Sequence, residues 1–146
     1  CIGSLEPHTS LAEDVSHNAW AAAFRDPRFE ALQTGELAGL SIQVSVLGTP
    51  EMIDVDSEPA LIKKLRPGID GLILQQGSSR ATFLPAVWHS LPEAERFLAH
   101  LKLKAGLEAD YWSDSIQVWR YTTESFSTSA ATQEKNDRDY LKELLK

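Results

Sequence analysis

The sequence predicts a mixed fold of helices and antiparallel sheet, and three patterns carry that prediction. Apolar residues recur at spacings of three and four behind a capping-box pattern at Ser10–Glu13, and again behind Ser90–Glu93. Ile42, Val44 and Val46 alternate with Ser41, Gln43 and Ser45, and a second alternation runs from Ser115 to Thr123, both at the period of two of a strand. Residues 70–74 and 81–84 flank a short polar connector containing Gly77, which is the pattern of a hairpin.

In chain order, the first helix is expected from Leu11 to Arg25. Leu11, Val15, Ala19 and Ala22 form its stripe, and Trp20, Ala23 and Phe24 widen it, as in a helix packed in a core. Asp26-Pro27 stops it, because proline disfavours helical geometry in the residue before it. Thr34–Leu37 is at most one short turn, and the first strand follows. After an acidic loop, Ser57 can cap a short helix to Leu65 with Pro59 in its first turn. The hairpin comes next. The helix behind Ser90–Glu93 carries Ala94, Phe97, Leu98, Leu101 and Ala105 on one stripe, Lys102 and Lys104 toward its negative end, and Gly106 as a left-handed closing residue. In the last strand Trp119 and Tyr121 lie on the face opposite Ile116 and Val118, which predicts a central strand covered on both sides. Residues 127–136 read as a linker and 137–146 as a short helix.

At 146 residues the chain is the right size for one domain with its own core. Its 42% hydrophobic and 24% charged content is that of a soluble globular protein, and its longest apolar run, Ala19–Phe24, cannot span a bilayer. A net charge of −7 opposes the phosphate neutralisation on which most nucleic-acid binding rests. The single cysteine cannot close an intrachain disulfide and no signal-peptide pattern is visible, so a cytoplasmic location is expected. The chain opens on Cys1 rather than Met and reads as a fragment or a processed form.

Cys1-Ile2-Gly3, Asp26-Pro27-Arg28-Phe29, Ser45-Val46-Leu47, Asp70-Gly71-Leu72, Thr82-Phe83-Leu84-Pro85 and Lys104-Ala105-Gly106-Leu107 occur in an order that resembles the AMMECR domain family. This is the family of the A protein of the bacterial and archaeal AmmeMemoRadiSam system, and Cys1–His8 resembles its bacterial branch. The resemblance covers residues 1–126. It implies an α+β fold, mainly antiparallel sheet flanked by helices, in a larger and a smaller lobe. It also implies genomic association with a Memo-like protein and a radical SAM protein, which are the expected partners, and no established activity. Of the family signature Leu-Arg-Gly-Cys-Ile-Gly only the last three residues are present, so the domain is expected to lack its usual N-terminal part. The 137–146 tail resembles the helix that opens such domains. It is expected to fill that place within the chain or from a neighbouring copy, as a homo-oligomer would allow.

The candidate site gathers on the first eight residues. A thiol acts as nucleophile or ligand only as thiolate, which requires cationic neighbours such as Arg28, His8 or His17. Cys1 and Glu6 are the catalytic candidates, with Glu6 exchanging protons. Gly3, His8, Arg28 and Asp70 are the ligand-binding candidates: Gly3 admits a ligand to the backbone and Arg28 orients an anion. Asp70-Gly71 also has a simpler reading as a turn into a strand. No metal-ligand spacing is present, and no cofactor is identified. The expected function is a thiol-dependent enzyme or a small-molecule-binding component of a modification pathway. Its rival is a non-catalytic adaptor presenting Trp88, Tyr111 and Trp112 to a protein partner.

Overall fold

A computed structural model describes residues 2–129. Its elements in chain order are α1 (Leu11–Phe24), a 3-10 helix (Thr34–Gly39), β1 (Ser41–Leu47), β2 (Glu51–Met52), α2 (Glu58–Lys64), β3 (Gly71–Gln76), β4 (Ser79–Phe83), a second 3-10 helix (Pro85–His89), α3 (Ala94–Lys104), β5 (Gln117–Tyr121) and β6 (Thr123–Ser129). The α+β class follows from these helices and antiparallel sheets. The chain divides into two compact units. Among the described residues, unit 1 contains 2–45 and 125–129, and unit 2 is Val46–Glu124.

Unit 2 holds the hydrophobic core. Its sheet runs β2-β5-β3-β4 and every neighbouring pair is antiparallel, so β5 is the central strand its alternation predicts. Gln76 pairs with Ser79 across the two-residue loop Gly77-Ser78. Only the glycine there has positive φ (57°), as expected where glycine holds the first central position of a hairpin turn. Leu72 and Leu74 of β3 join Val118 of β5, Leu61 of α2 and Phe97, Leu98 and Leu101 of α3 in one buried cluster. Trp88 stacks on Phe97 with ring centroids 3.8 Å apart, and Phe83 meets Phe97 edge-on at 5.3 Å. The other face of β3 and β5 is buried as well, with Ile73 and Tyr121 each 2% exposed. There the Tyr121 hydroxyl lies 2.8 Å from Thr82 Oγ1 and donates to the Phe83 carbonyl at 3.1 Å, while burial raises its pKa.

Helix α3 closes as expected at Gly106 (φ 81°). The Leu107 amide donates to the Lys102 carbonyl and the Gly106 amide to the Leu103 carbonyl, the two bonds of a Schellman closure. A Cβ at Gly106 would meet nothing within 4 Å, so Gly106→Ala tests conformation alone. It is expected to cost about 1 kcal/mol, readable as a small urea-midpoint shift with an unchanged slope.

Three sequence expectations are corrected here. Ser90–Glu93 does not form a capping box: α3 starts at Ala94, its N-cap Glu93 makes no side-chain cap bond, and the Ser90 amide donates to Val87 to end the preceding 3-10 turn. Ser57 does occupy the N-cap of α2, but its hydroxyl donates to Asp56 Oδ1 and accepts no helix amide. Lys102, expected merely to sit near the helix end, is fully buried. Its ammonium donates to Glu58 Oε2 at 2.8 Å and to the Tyr111 carbonyl at 3.1 Å, tying α3 to α2 and to the following loop.

Unit 1 is built differently. The capping box of α1 is present in both directions between Ser10 and Glu13. The Leu32 amide donates to the Ala23 carbonyl and turns the chain back over the helix end. Yet no residue of α1 is buried, and Leu11, Trp20 and Phe24 are all exposed, so the expected core helix is an exposed one. The stripe is present in the sequence, but none of its residues is buried. His17, expected as a core histidine, is exposed for the same reason. The 3-10 helix Thr34–Gly39 is longer than the single turn expected. β1 and β6 form a two-stranded sheet, with Ser45 and Ser125 hydroxyls 3.0 Å apart and Ser41 and Ser127 hydroxyls 3.5 Å apart. β6 therefore extends to Ser129, into the stretch read as a linker, while the 137–146 helix lies outside the described residues.

Candidate functional site

Four of the candidate site residues fall in unit 1. Cys1 lies outside the described residues, but the segment that follows it is placed. Ser4 fixes that segment to α1: its hydroxyl donates to Asp14 Oδ1 at 2.6 Å and accepts from Asn18 Nδ2 at 3.3 Å. Asp14 and Asn18 are one helical turn apart and so share a face, and Asn18 is itself held by the Asp14 carbonyl at 3.0 Å. Around this anchor Gly3, Glu6 and His8 are exposed, and a Cβ at Gly3 would meet nothing within 4 Å. Gly3 therefore leaves the backbone open to an incoming group.

Arg28 is engaged by a neighbour the sequence reading did not single out. Asp26 accepts from Arg28 Nε at 2.8 Å, from Arg28 Nη2, and from the Arg28 backbone amide at 3.1 Å. The carboxylate side chain is 6% exposed and the guanidinium 56% exposed, so the acid is the held partner and the base faces solvent. The Arg28 hydrogen bonds lower the Asp26 pKa to about 2, and the same contact raises that of Arg28. The signal was available locally: Asp followed two residues later by an amide donor is an Asx-turn, and proline between them favours it.

A carboxylate depressed from the usual ~3.9 contributes stability that is fully present above about pH 4 and is lost as pH falls toward 2. Acid titration of the Asp26 carboxyl by nuclear magnetic resonance is expected to show that depressed midpoint. In Arg28→Gln the midpoint is expected to return toward the ordinary value.

Asp70 belongs to unit 2 and is fully buried. Oδ1 accepts from Arg66 Nε at 3.0 Å and Nη2 at 2.6 Å, and Oδ2 accepts from the Arg66 backbone amide at 2.9 Å. Its carbonyl accepts from Trp88 Nε1 at 2.7 Å. The three Arg66 bonds close the turn Arg66–Asp70 before β3, and the Trp88 bond ties that turn to the second 3-10 helix, which agrees with the simpler reading of Asp70-Gly71 as a turn into a strand. The adaptor face is also corrected. Trp88 is 3% exposed, stacked in the core, and Tyr111 and Trp112 are half-buried, so these three make no exposed aromatic surface. Among the described residues no group of three or more His, Cys, Asp or Glu side chains is placed to hold a metal. No helix among them is long and apolar enough to cross a membrane.

Comparison with known proteins supplies the setting for this geometry. The family model described as AMMECR1 matches residues 1–126. Protein MJ0810 of Methanocaldococcus jannaschii is 36% identical over 132 residues, covering 86% of this chain and 64% of its own. A protein of Thermofilum pendens is 40% identical over 132 residues, covering 86% of this chain and 60% of its own. Among solved structures, uncharacterized protein PH0010 from Pyrococcus horikoshii superposes with a TM-score of 0.81 at 35% identity, covering 87% of this chain and 63% of that one. The chain thus spans less than two thirds of the length of these relatives.

Proposed function

Because the chain belongs to the AMMECR1 family, we propose that it is a component of a modification pathway whose chemistry is thiol-dependent and centred on Cys1. The observation that carries the proposal is the open backbone at Gly3, two residues from the only cysteine, on a segment that Ser4 pins to α1. A pinned, accessible segment holds a reactive side chain at lower entropic cost than a free one does. In this reading Cys1 is the nucleophile or ligand, Glu6 exchanges protons, and Gly3 and His8 contact the bound molecule. Arg28 orients an anionic group with the part of its guanidinium that Asp26 does not engage. A Memo-like protein and a radical SAM protein are the pathway partners that this reading takes from the family resemblance, and a reducing, cytoplasmic setting keeps the thiol free.

The rate of Cys1 alkylation by iodoacetamide as a function of pH tests this directly. An activated thiolate is expected to give a half-maximal rate below about pH 7.5, and His8→Gln is expected to move it upward. A midpoint at the ~8.5 of an ordinary thiol sinks the thiol-dependent reading.

A further inference from the structure

Two arginines of unit 2, Arg66 and Arg120, come together at one corner of its sheet. Arg120 pairs with Leu72 of β3 on one side and with Glu51 of β2 on the other. Cross-strand partners project to the same face. Asp70, two residues before Leu72, continues the alternation of that strand onto this face. Because Asp70 binds the Arg66 guanidinium, both arginines reach the corner that Glu51 occupies. Their charges are coupled as well: Asp70 raises the Arg66 pKa, and Glu51 adds to the rise.

The two carboxylates hold their arginines very differently. Asp70 is fully buried and accepts from Arg66 Nε and Nη2, which fixes the plane of that guanidinium. Glu51 accepts from Arg120 Nε at 3.3 Å, longer than the ~2.7–2.9 Å of a strong charge-assisted bond. Its side chain is 69% exposed and its strand is two residues long. Surface pairs of this kind contribute little to stability, so Glu51 is readily displaced. Among the described residues, Nη1 of Arg66 and both Nη groups of Arg120 have no hydrogen-bond partner.

We propose that this corner binds a phosphoryl group, which displaces Glu51 from Arg120 and spans the two guanidinium groups. A carboxylate is planar and aligns with one arginine fork, as Glu51 does with Arg120. A phosphoryl group carries three terminal acceptor oxygens in a tetrahedral array and can engage forks that approach from different elements. With Glu51 turned away, Arg66, Arg120 and Asp70 sum to one positive charge, which favours an anion. Glu51 is then a built-in competitor that raises the ligand concentration needed to fill the site.

Arginine Nε–H resonances of the 146-residue chain, titrated at constant ionic strength with inorganic phosphate, glycerol phosphate and acetate, test this. With a phosphoryl ligand the Arg66 and Arg120 signals are expected to shift together along one saturation curve, and acetate is expected to bind at least tenfold more weakly. Glu51→Gln is expected to tighten phosphoryl binding at least fivefold, and Arg120→Gln to weaken it at least tenfold. Amide protection at Leu72–Leu74 checks that the variants keep the sheet. Should Arg120→Gln fail to fold, the paired shift and Glu51→Gln decide the matter. Tighter binding of glycerol phosphate than of phosphate assigns an ester as the ligand, and the reverse assigns the free ion. A shift confined to one arginine, indifference to either substitution in a folded variant, or acetate binding as tight as phosphate overturns the proposal. Cys1 takes no part in these readouts, so they are independent of the thiol reading.

Discussion

Trp88→Ala is expected to destabilise unit 2 by about 4 kcal/mol, enough to leave a small domain only marginally folded. The side chain is 3% exposed, stacks on Phe97 at 3.8 Å with the rings 8° from parallel, and donates to the Asp70 carbonyl at 2.7 Å. Truncation therefore opens a cavity at the centre of the core and also strips a buried carbonyl of its partner. Trp88→Phe separates the two contributions. It keeps a ring against Phe97 but loses the bond to Asp70, and should cost about 1–2 kcal/mol. Urea unfolding followed by far-ultraviolet circular dichroism measures both; near-equal costs for the two variants would show that the hydrogen bond, not the ring, carries the site.

Gly71→Ala is the second large effect, expected at about 3 kcal/mol from overpacking. A Cβ there would lie 2.5 Å from Tyr121 Cζ, 2.6 Å from Cε2 and 3.0 Å from Pro85 Cδ. The ring cannot simply swing aside, because its hydroxyl is held by Thr82 and by the Phe83 carbonyl. The backbone of β3 is equally fixed, hydrogen-bonded to β4 on one side and β5 on the other. Removing the ring should relieve the clash, so the cost of Gly71→Ala is expected to fall by at least half in a Tyr121→Leu background. Additive costs in that double-mutant cycle would mean that the strain lies elsewhere.

These two residues show what the sequence made legible and what it did not. The alternation in β1 and β5, the glycine of the hairpin, the capping box of α1 and the closing Gly106 are local signals, each depending on a few adjacent residues, and the structure contains all of them. The burial of Trp88 is not legible locally because its partners, Phe97 and the Asp70 carbonyl, lie 9 and 18 positions away in the sequence. Without that pairing a tryptophan reads as a surface anchor, whereas the turn reading of Asp70-Gly71 is local and agrees with the Arg66–Asp70 bonds. Lys102 is a sharper case: a lysine in the last turn of a helix looks like a dipole partner, and only the 44-residue separation to Glu58 reveals a buried cross-tie. For α1 the apolar stripe predicts a helix packed in a core, yet none of its residues is buried, because periodicity within one helix does not specify what lies against it.

The candidate site was partly legible for the same reason. The density of chemistry in residues 1–8 is a property of adjacent residues, and so is the Asx-turn through which Asp26 holds Arg28. The anchoring of Ser4 by Asp14 and Asn18 is a contact across ten and fourteen residues, and no periodicity announces it.

Residue-resolved hydrogen exchange on the 146-residue chain separates the two units most directly. Amides of Leu72–Leu74, Val118 and Phe97–Leu101 are expected to exchange only through global unfolding of unit 2, while amides of α1 and Ser41–Ser45 exchange at least a hundredfold faster through local opening. Uniform protection across both units would contradict a buried hydrophobic core confined, among the described residues, to unit 2.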